Sequence, residues 1–281
     1  MYPSRLLARA LAAALLTTAL AGCATSNSAS KAAVPPSSAP ATAVPSAPPE
    51  KEPKADLMAA AAVMDKAGTA TITLSGGTQG SGTQSWKTPQ MIELHMSKNG
   101  TDFTVRCAED AVYVPAPAAA YGGKHWVRID ASAAPGSAKQ LDAETLTLLT
   151  MMVDIFNPVL ELHAAVHDNA ITKIGPDRVN GVEATRYSAR LTADTLVAQM
   201  TSLTDTDRDK VRKVLTSYGQ TQSADFWIND RNELIQFGIA GLSSTNHAAT
   251  TLLTYSDLGT APAPAAPAAS DVAAPGDADR A

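Results

Sequence analysis

Cysteine, aromatic residues and excess positive charge are all scarce in this chain of 281 residues. It has two cysteines, 5% aromatic residues and 22 basic against 27 acidic residues, which gives a net charge of −5 at pH 7. An acidic balance disfavours nucleic-acid binding, which needs a basic surface, and it disfavours attraction to anionic lipid. We therefore expect no nucleic-acid partner, and any membrane attachment must be covalent.

Signatures of common enzymes are also missing. The chain has no Gly-x-Ser-x-Gly elbow, no Walker loop and no His-Glu-x-x-His motif. His163 and His167 have the i, i+4 spacing of zinc ligands, with Asp168 adjacent, but no third ligand is identifiable. We interpret them as ordinary helix residues and expect no catalysis, no cofactor and no metal site.

The first 23 residues follow the pattern of a lipoprotein signal peptide. Arg5 and Arg9 precede an apolar run at 10–20 that is too short to span a bilayer. The run ends in Leu-Ala-Gly-Cys at 20–23, which resembles the lipobox of bacterial lipoproteins. This predicts diacylglycerol on Cys23 and, with further acyl chains such as palmitate, stable anchoring at the extracytoplasmic face of the cell membrane. An ordinary secretory signal cleaved elsewhere is the alternative.

Two segments rich in Ala, Pro and Ser flank the part of the chain that is able to form a core. Residues 24–54 predict a disordered tether, and residues 260–281 predict a disordered tail. The range 55–259 remains as one domain, which we expect to be a monomer. The second cysteine, Cys107, follows the alternation of Phe103 and Val105, so we expect a buried, unreactive thiol.

Periodicity divides the domain into strands and helices. Residues 55–66 predict a helix with Asp56 as its N-cap and Gly68 as its stop. Alternating apolar residues predict strands, and the glycine-rich segment 76–82 predicts a turn between two of them. The predicted strands cover 71–75, 91–97, 101–107, 111–114, 124–129, 171–176, 181–191, 224–230, 234–241 and 249–257.

The middle of the domain changes to helical spacing. Residues 142–156 are rich in Leu and Met over most of the helix circumference, so this helix should be buried on more than one side. Further helices are predicted at 159–167, 192–200 and 205–218. This order indicates an α+β fold, a curved antiparallel sheet with helices packed on its concave face.

Several phrases along the domain carry a resemblance to a known family. They are AVYV at 111–114 with KHWVRID at 124–130, VNGVEATRY at 179–187, FWIND at 226–230 and TYSDLG at 254–259. Because these phrases occur in this order, the chain resembles the LppX/LprA/LprF/LprG-type lipoproteins. The fold of that family is similar to the fold of the LolA and LolB lipoprotein carriers. Ala184 and Thr185 shift the family's hairpin pattern slightly.

The resemblance implies a half-barrel with an apolar cavity that binds or carries an acylated lipid or lipoglycan. On this basis we name cavity-lining candidates, which are Ile72, Ile92, Leu94, Phe103, Leu149, Met152 and Tyr187. Methionine repacks easily and suits an adaptable wall. The alternative is a non-enzymatic lipoprotein of cell-envelope interaction or assembly, with the same fold and a filled core.

Overall fold

The computed structural model of the protein describes residues 52–76, 79–98, 101–108, 111–116, 121–130, 151–168, 170–201, 203–217, 219, 221–240 and 250–273. The predictions for the signal peptide, for Cys23, for Leu149 and for most of the tether and of the 142–156 helix lie outside the described residues. Residues 151–155 are helical, in agreement with the end of that predicted helix.

Twelve strands and four labelled helices make up the described fold. The strands are β1 (Thr69–Gly76), β2 (Gly80–Ser85), β3 (Met91–Lys98), β4 (Thr101–Ala108), β5 (Ala111–Pro115), β6 (Trp126–Asp130), β7 (Thr172–Val179), β8 (Val182–Thr192), β9 (Thr221–Ile228), β10 (Leu234–Ala240), β11 (Thr250–Ser256) and β12 (Val272–Ala273). The helices are α1 (Pro53–Ala67), α2 (Pro158–Asp168), α3 (Ala193–Gln199) and α4 (Asp205–Ser217). Within the described residues, no helix is long and apolar enough to cross a bilayer.

All strands belong to one open sheet. Its order is β12-β6-β5-β4-β3-β2-β1-β11-β10-β9-β8-β7, and every pair is antiparallel except β12 with β6. The hairpins follow the turn signals in the sequence. Between β7 and β8, for example, Asn180 and Gly181 both have positive φ, as a two-residue turn of this kind requires. The predicted α+β class and antiparallel sheet are confirmed.

The helices pack on one face of this sheet and form the main core with it. Alternate residues of β1, β3, β4 and β8 to β11 join apolar side chains of all four helices in one buried cluster. Met151, Val153 and Phe156 belong to the same cluster, so the part of the Leu/Met-rich helix that is described is buried. We call this side of the sheet the covered face.

Helix α1 is fastened to the sheet at both ends. Gly68 ends it in the left-handed conformation at φ 75°, as predicted. The prediction of Asp56 as N-cap is wrong, because the helix begins earlier and Glu52 precedes it without a side-chain cap. Asp56 instead accepts a hydrogen bond from the Tyr187 hydroxyl on β8 at 2.7 Å. At the other end, the indole N–H of Trp86 donates to the Met64 carbonyl at 2.8 Å.

Strand β2 corrects the prediction that 76–82 is only a turn. The segment after Gly80 pairs with β1 on one side and β3 on the other, over six positions each. A side chain is excluded at Gly82, because a Cβ there would lie 1.8 Å from the backbone oxygen of Glu93. Glycine therefore permits a close approach of two strands here, in addition to the turn that precedes β2.

The predicted disordered tail is ordered in the structure as far as residue 273. Val272 and Ala273 pair in parallel with Trp126 and Val127 at the β6 edge. His125 contacts Asp271 there, with Nδ1 and Oδ1 separated by 2.7 Å. An alanine- and proline-rich segment is thus held by backbone pairing and by hydrogen bonds to Asp271 and Val272, neither of which its composition reveals.

Candidate functional site

The covered face carries a row of aligned residues across eight strands, of which seven have large apolar or aromatic side chains and one is a glycine. Strand register aligns these residues from β4 to β8, and they are Phe103, Met96, Gly80, Leu74, Leu253, Phe237, Phe226 and Tyr187. Neighbouring strands are about 4.8 Å apart, so the row is roughly 34 Å long. We call it the apolar row.

The structure places six of the seven predicted cavity residues on this side of the sheet. Ile72, Ile92 and Leu94 are 0% exposed and Tyr187 is 3% exposed, all within the main buried cluster. Phe103 and Met152 are partly buried against the same cluster. The predicted residues therefore share one interior, but the most buried of them are packed among the protein's own side chains.

A pocket of about 540 Å³ opens where β2 and β4 begin and β3 and β5 end. Met96 and Phe103 line it together with polar residues, among them Ser97, Asp102 and Thr104. These two apolar residues also belong to the main core or pack against it. We call this opening the β2–β5 pocket, and it borders Met96 and Phe103 at the end of the apolar row.

A second pocket of about 440 Å³ lies at the opposite end of the sheet. Three of the phrases that carry the family resemblance meet around it, through Val179, Asn180, Asn229, Tyr255 and Asp257. Asn229 is occupied with its own turn, since its Oδ1 accepts hydrogen bonds from the backbone N–H groups of residues 231 and 233. The part that Asn229 plays in this turn is therefore enough to explain an asparagine at that position.

The apolar interior contains a carboxyl group that the sequence reasoning missed. Glu161 on α2 is 1% exposed, and neither of its carboxyl oxygens has a hydrogen-bond partner among the described residues. Burial raises the pKa of Glu161 well above its ordinary value, because desolvation penalises the charged form. The sequence feature that could have revealed it is an acidic residue between Leu160 and Leu162 in a largely apolar helix.

Tyr255 is a second buried polar group of the same interior. It lies on β11 in register with Ile72, and its hydroxyl also has no partner among the described residues. Burial and, second, the nearby charge of Glu161 raise the pKa of Tyr255. An unsatisfied buried polar group costs about 1–3 kcal/mol, so two such groups close together need an explanation beyond packing.

Two further glutamines carry unpartnered oxygens in the described core. Gln84 on β2 donates through Nε2 to the Val153 carbonyl at 3.5 Å, while its Oε1 has no partner within the described chain. Gln222 on β9 also has an unpartnered Oε1 there and lies in register with Leu191. The second glutamine thus offers another buried polar group, on a different element from Glu161 and Tyr255.

Cys107 and the paired histidines were the other residues considered for chemistry. Cys107 is fully buried, as predicted, and burial raises the pKa of its thiol to about 12, which disfavours the reactive thiolate. His163 and His167 both lie on α2. In the described part of the chain, no group of three or more His, Cys, Asp or Glu residues is arranged to hold a metal ion.

Comparison with known proteins returns lipoproteins among the solved structures. No protein-family model matches the chain. An uncharacterized 31.2 kDa protein of Streptomyces griseus, from the rplA–rplJ intergenic region, is 28% identical over 210 residues, and the match covers 73% of this chain. The matched region spans 63% of that relative's length.

Two of the similar structures are mycobacterial. The lipoprotein LppX of Mycobacterium tuberculosis is 11% identical with a TM-score of 0.45, over 74% of this chain and 94% of LppX. LprF of Mycobacterium bovis is 12% identical with a TM-score of 0.44, over 74% and 93%. A putative outer membrane lipoprotein-sorting domain of Vibrio parahaemolyticus is 11% identical with a TM-score of 0.20, over 73% and 92%. The first two carry names of the group that the sequence phrases resemble.

Proposed function

We propose that this protein is a membrane-anchored extracytoplasmic lipoprotein that binds or carries an acylated lipid or lipoglycan and catalyses no reaction. One observation carries the proposal, which is that Met96 and Phe103 belong both to the apolar row and to the lining of the β2–β5 pocket. A hydrocarbon chain that binds there would contact Met96 and Phe103 first and, beyond Gly80, the other apolar side chains of the row. Burial of apolar surface contributes about 25 cal/mol per Å².

The second candidate function is an envelope interaction or assembly protein with a filled core. The complete burial of Ile72, Ile92 and Leu94 within the protein's own packing favours it. The two functions differ in one physical respect, because a carrier must open space along the apolar row and an assembly protein need not. Lipid binding therefore separates them.

A lipid adduct is expected when the protein is isolated from its parent cell and examined by native mass spectrometry. Phe103→Gln should weaken binding about tenfold or more, because an aromatic side chain at the opening contributes about 1.5–3 kcal/mol of apolar burial. Thr73→Gln is the matched control, since Thr73 is exposed on β1 and lines neither pocket. Repeated preparations without any adduct would favour the filled-core alternative.

Membrane attachment is expected to depend on Cys23 alone. Cys23→Ala should move the protein from the membrane fraction to the soluble fraction, because no acyl chain then holds it. Cys107→Ala is the internal control, as it removes the other cysteine of the chain at a buried position. Fractionation of cells that express each variant measures the difference, and a Cys23→Ala protein that stays on the membrane would contradict the anchor.

A further inference from the structure

The Glu161 carboxyl group is placed where an ordinary core would have leucine. It follows Leu160 and precedes Leu162 on α2, and both neighbours are buried in the main cluster. Both of its oxygens are buried and unpartnered within the described chain. Stability alone favours an apolar residue at such a position, since a buried polar group without a partner is destabilising.

Tyr255 provides the second, independent observation. Its hydroxyl is buried without a partner in the described chain, and it comes from β11 in the middle of the sheet. Strand register aligns it with Ile72, Gly82 and Leu94 on the covered face, next to the apolar row. A helix and the sheet therefore each contribute one unsatisfied oxygen-bearing group to the same interior.

The chemistry of the pair selects the kind of group that would satisfy it. A protonated carboxyl group and a phenol are both neutral, and each both donates and accepts hydrogen bonds. An anionic group such as phosphate would lose its hydration in this apolar interior at a large cost in free energy. A hydroxyl group fits, because it donates one hydrogen bond and accepts others without charge.

We propose that Glu161 and Tyr255 form a buried polar anchor for a hydroxyl group on the ligand, so that the protein prefers acyl lipids with a hydroxyl within their apolar part. This rests on the proposed lipid-binding function and narrows its substrate class. The anchor explains why two polar groups persist in an apolar core. Residues that are needed for ligand binding can lower the stability of the ligand-free protein.

The test measures binding of two matched probes, the methyl ester of a mid-chain hydroxystearate and the methyl ester of stearate. The wild-type protein should bind the hydroxylated ester about tenfold more tightly. Glu161→Leu should abolish this preference while its thermal midpoint stays equal or rises, and Glu161→Gln should keep part of the preference. Gln222→Leu is the matched control, because it removes a buried unpartnered oxygen that is not part of the Glu161–Tyr255 pair and should leave the preference intact.

Each result has a distinct meaning. Equal binding of both esters by the wild-type protein would overturn the anchor and leave the lipid-binding function standing. Binding of neither ester, together with the absence of any native lipid adduct, would refute the proposed function itself. If Glu161→Leu fails to fold, Tyr255→Phe decides, since it removes only one oxygen, and an unchanged preference in that variant would also overturn the anchor.

Discussion

Exchanging Glu161 for Gln is expected to remove a pH dependence of stability that the wild-type protein shows above about pH 4.5. Burial raises the pKa of Glu161 above its ordinary value of 4.5, so the folded state holds this proton more tightly than the unfolded state. The associated stability is fully present below the unfolded pKa and is lost as the pH rises toward the folded pKa. Glutamine does not titrate, so the Glu161→Gln variant should lack this pH dependence of stability.

The stability difference between the two proteins should therefore change with pH at a predictable rate. Between about pH 4.5 and the folded pKa, wild type should lose about 1.4 kcal/mol per pH unit relative to Glu161→Gln. Urea unfolding at a series of pH values measures this slope. Glu183→Gln is the control, because Glu183 is exposed and paired with Arg178 on the surface. Parallel stability curves for wild type and Glu161→Gln would show that this carboxyl group is solvated.

Gly82→Ala should destabilise the fold by about 3 kcal/mol, the upper part of the usual range for overpacking. The new Cβ would lie 1.8 Å from the Glu93 backbone oxygen, and a backbone atom cannot rotate away as a side chain can. Relief of this clash requires β2 and β3 to separate in the middle of the sheet. Chemical denaturation should show the loss as a lower transition midpoint.

The neighbouring position provides a control for Gly82→Ala. Ser81 is exposed on the same strand, so Ser81→Ala should change stability by no more than about 0.5 kcal/mol. A Gly82→Ala protein as stable as wild type would mean that β2 does not pair closely with β3. The strand assignment that the sequence reasoning missed would then be in doubt.

The main features of the fold were predictable wherever side-chain periodicity matched the final burial. Strand β3 is the clearest case, since Ile92, Leu94 and Met96 alternate with polar residues and are all buried. Strand β2 was not predictable in this way. Its sequence GSGTQS contains no apolar residue, and it is a strand because partners pair with it on both sides. Tertiary pairing here overrides local propensity.

The candidate site was predictable only in outline. Ile72 and Tyr187 were correctly placed on the covered face, because strand alternation defines which side chains share a face. Glu161 was not singled out, since a single acid in an apolar helix normally turns toward solvent. Its burial depends on packing between α2 and the other elements, which no sequence period encodes. That the apolar row opens to admit a lipid stays a prediction.

The pairing of residues 272–273 with β6 also affects how copies of this protein meet one another. An open sheet has two edges, and a long exposed edge strand invites pairing with a second molecule. At one edge the outermost strand, β12, is only two residues long. At the other, β7 carries Pro176, a register shift between Lys173 and Gly175, and charged side chains. Within the described residues, both edges therefore discourage strand pairing between copies of the protein, so neither offers a template for fibres.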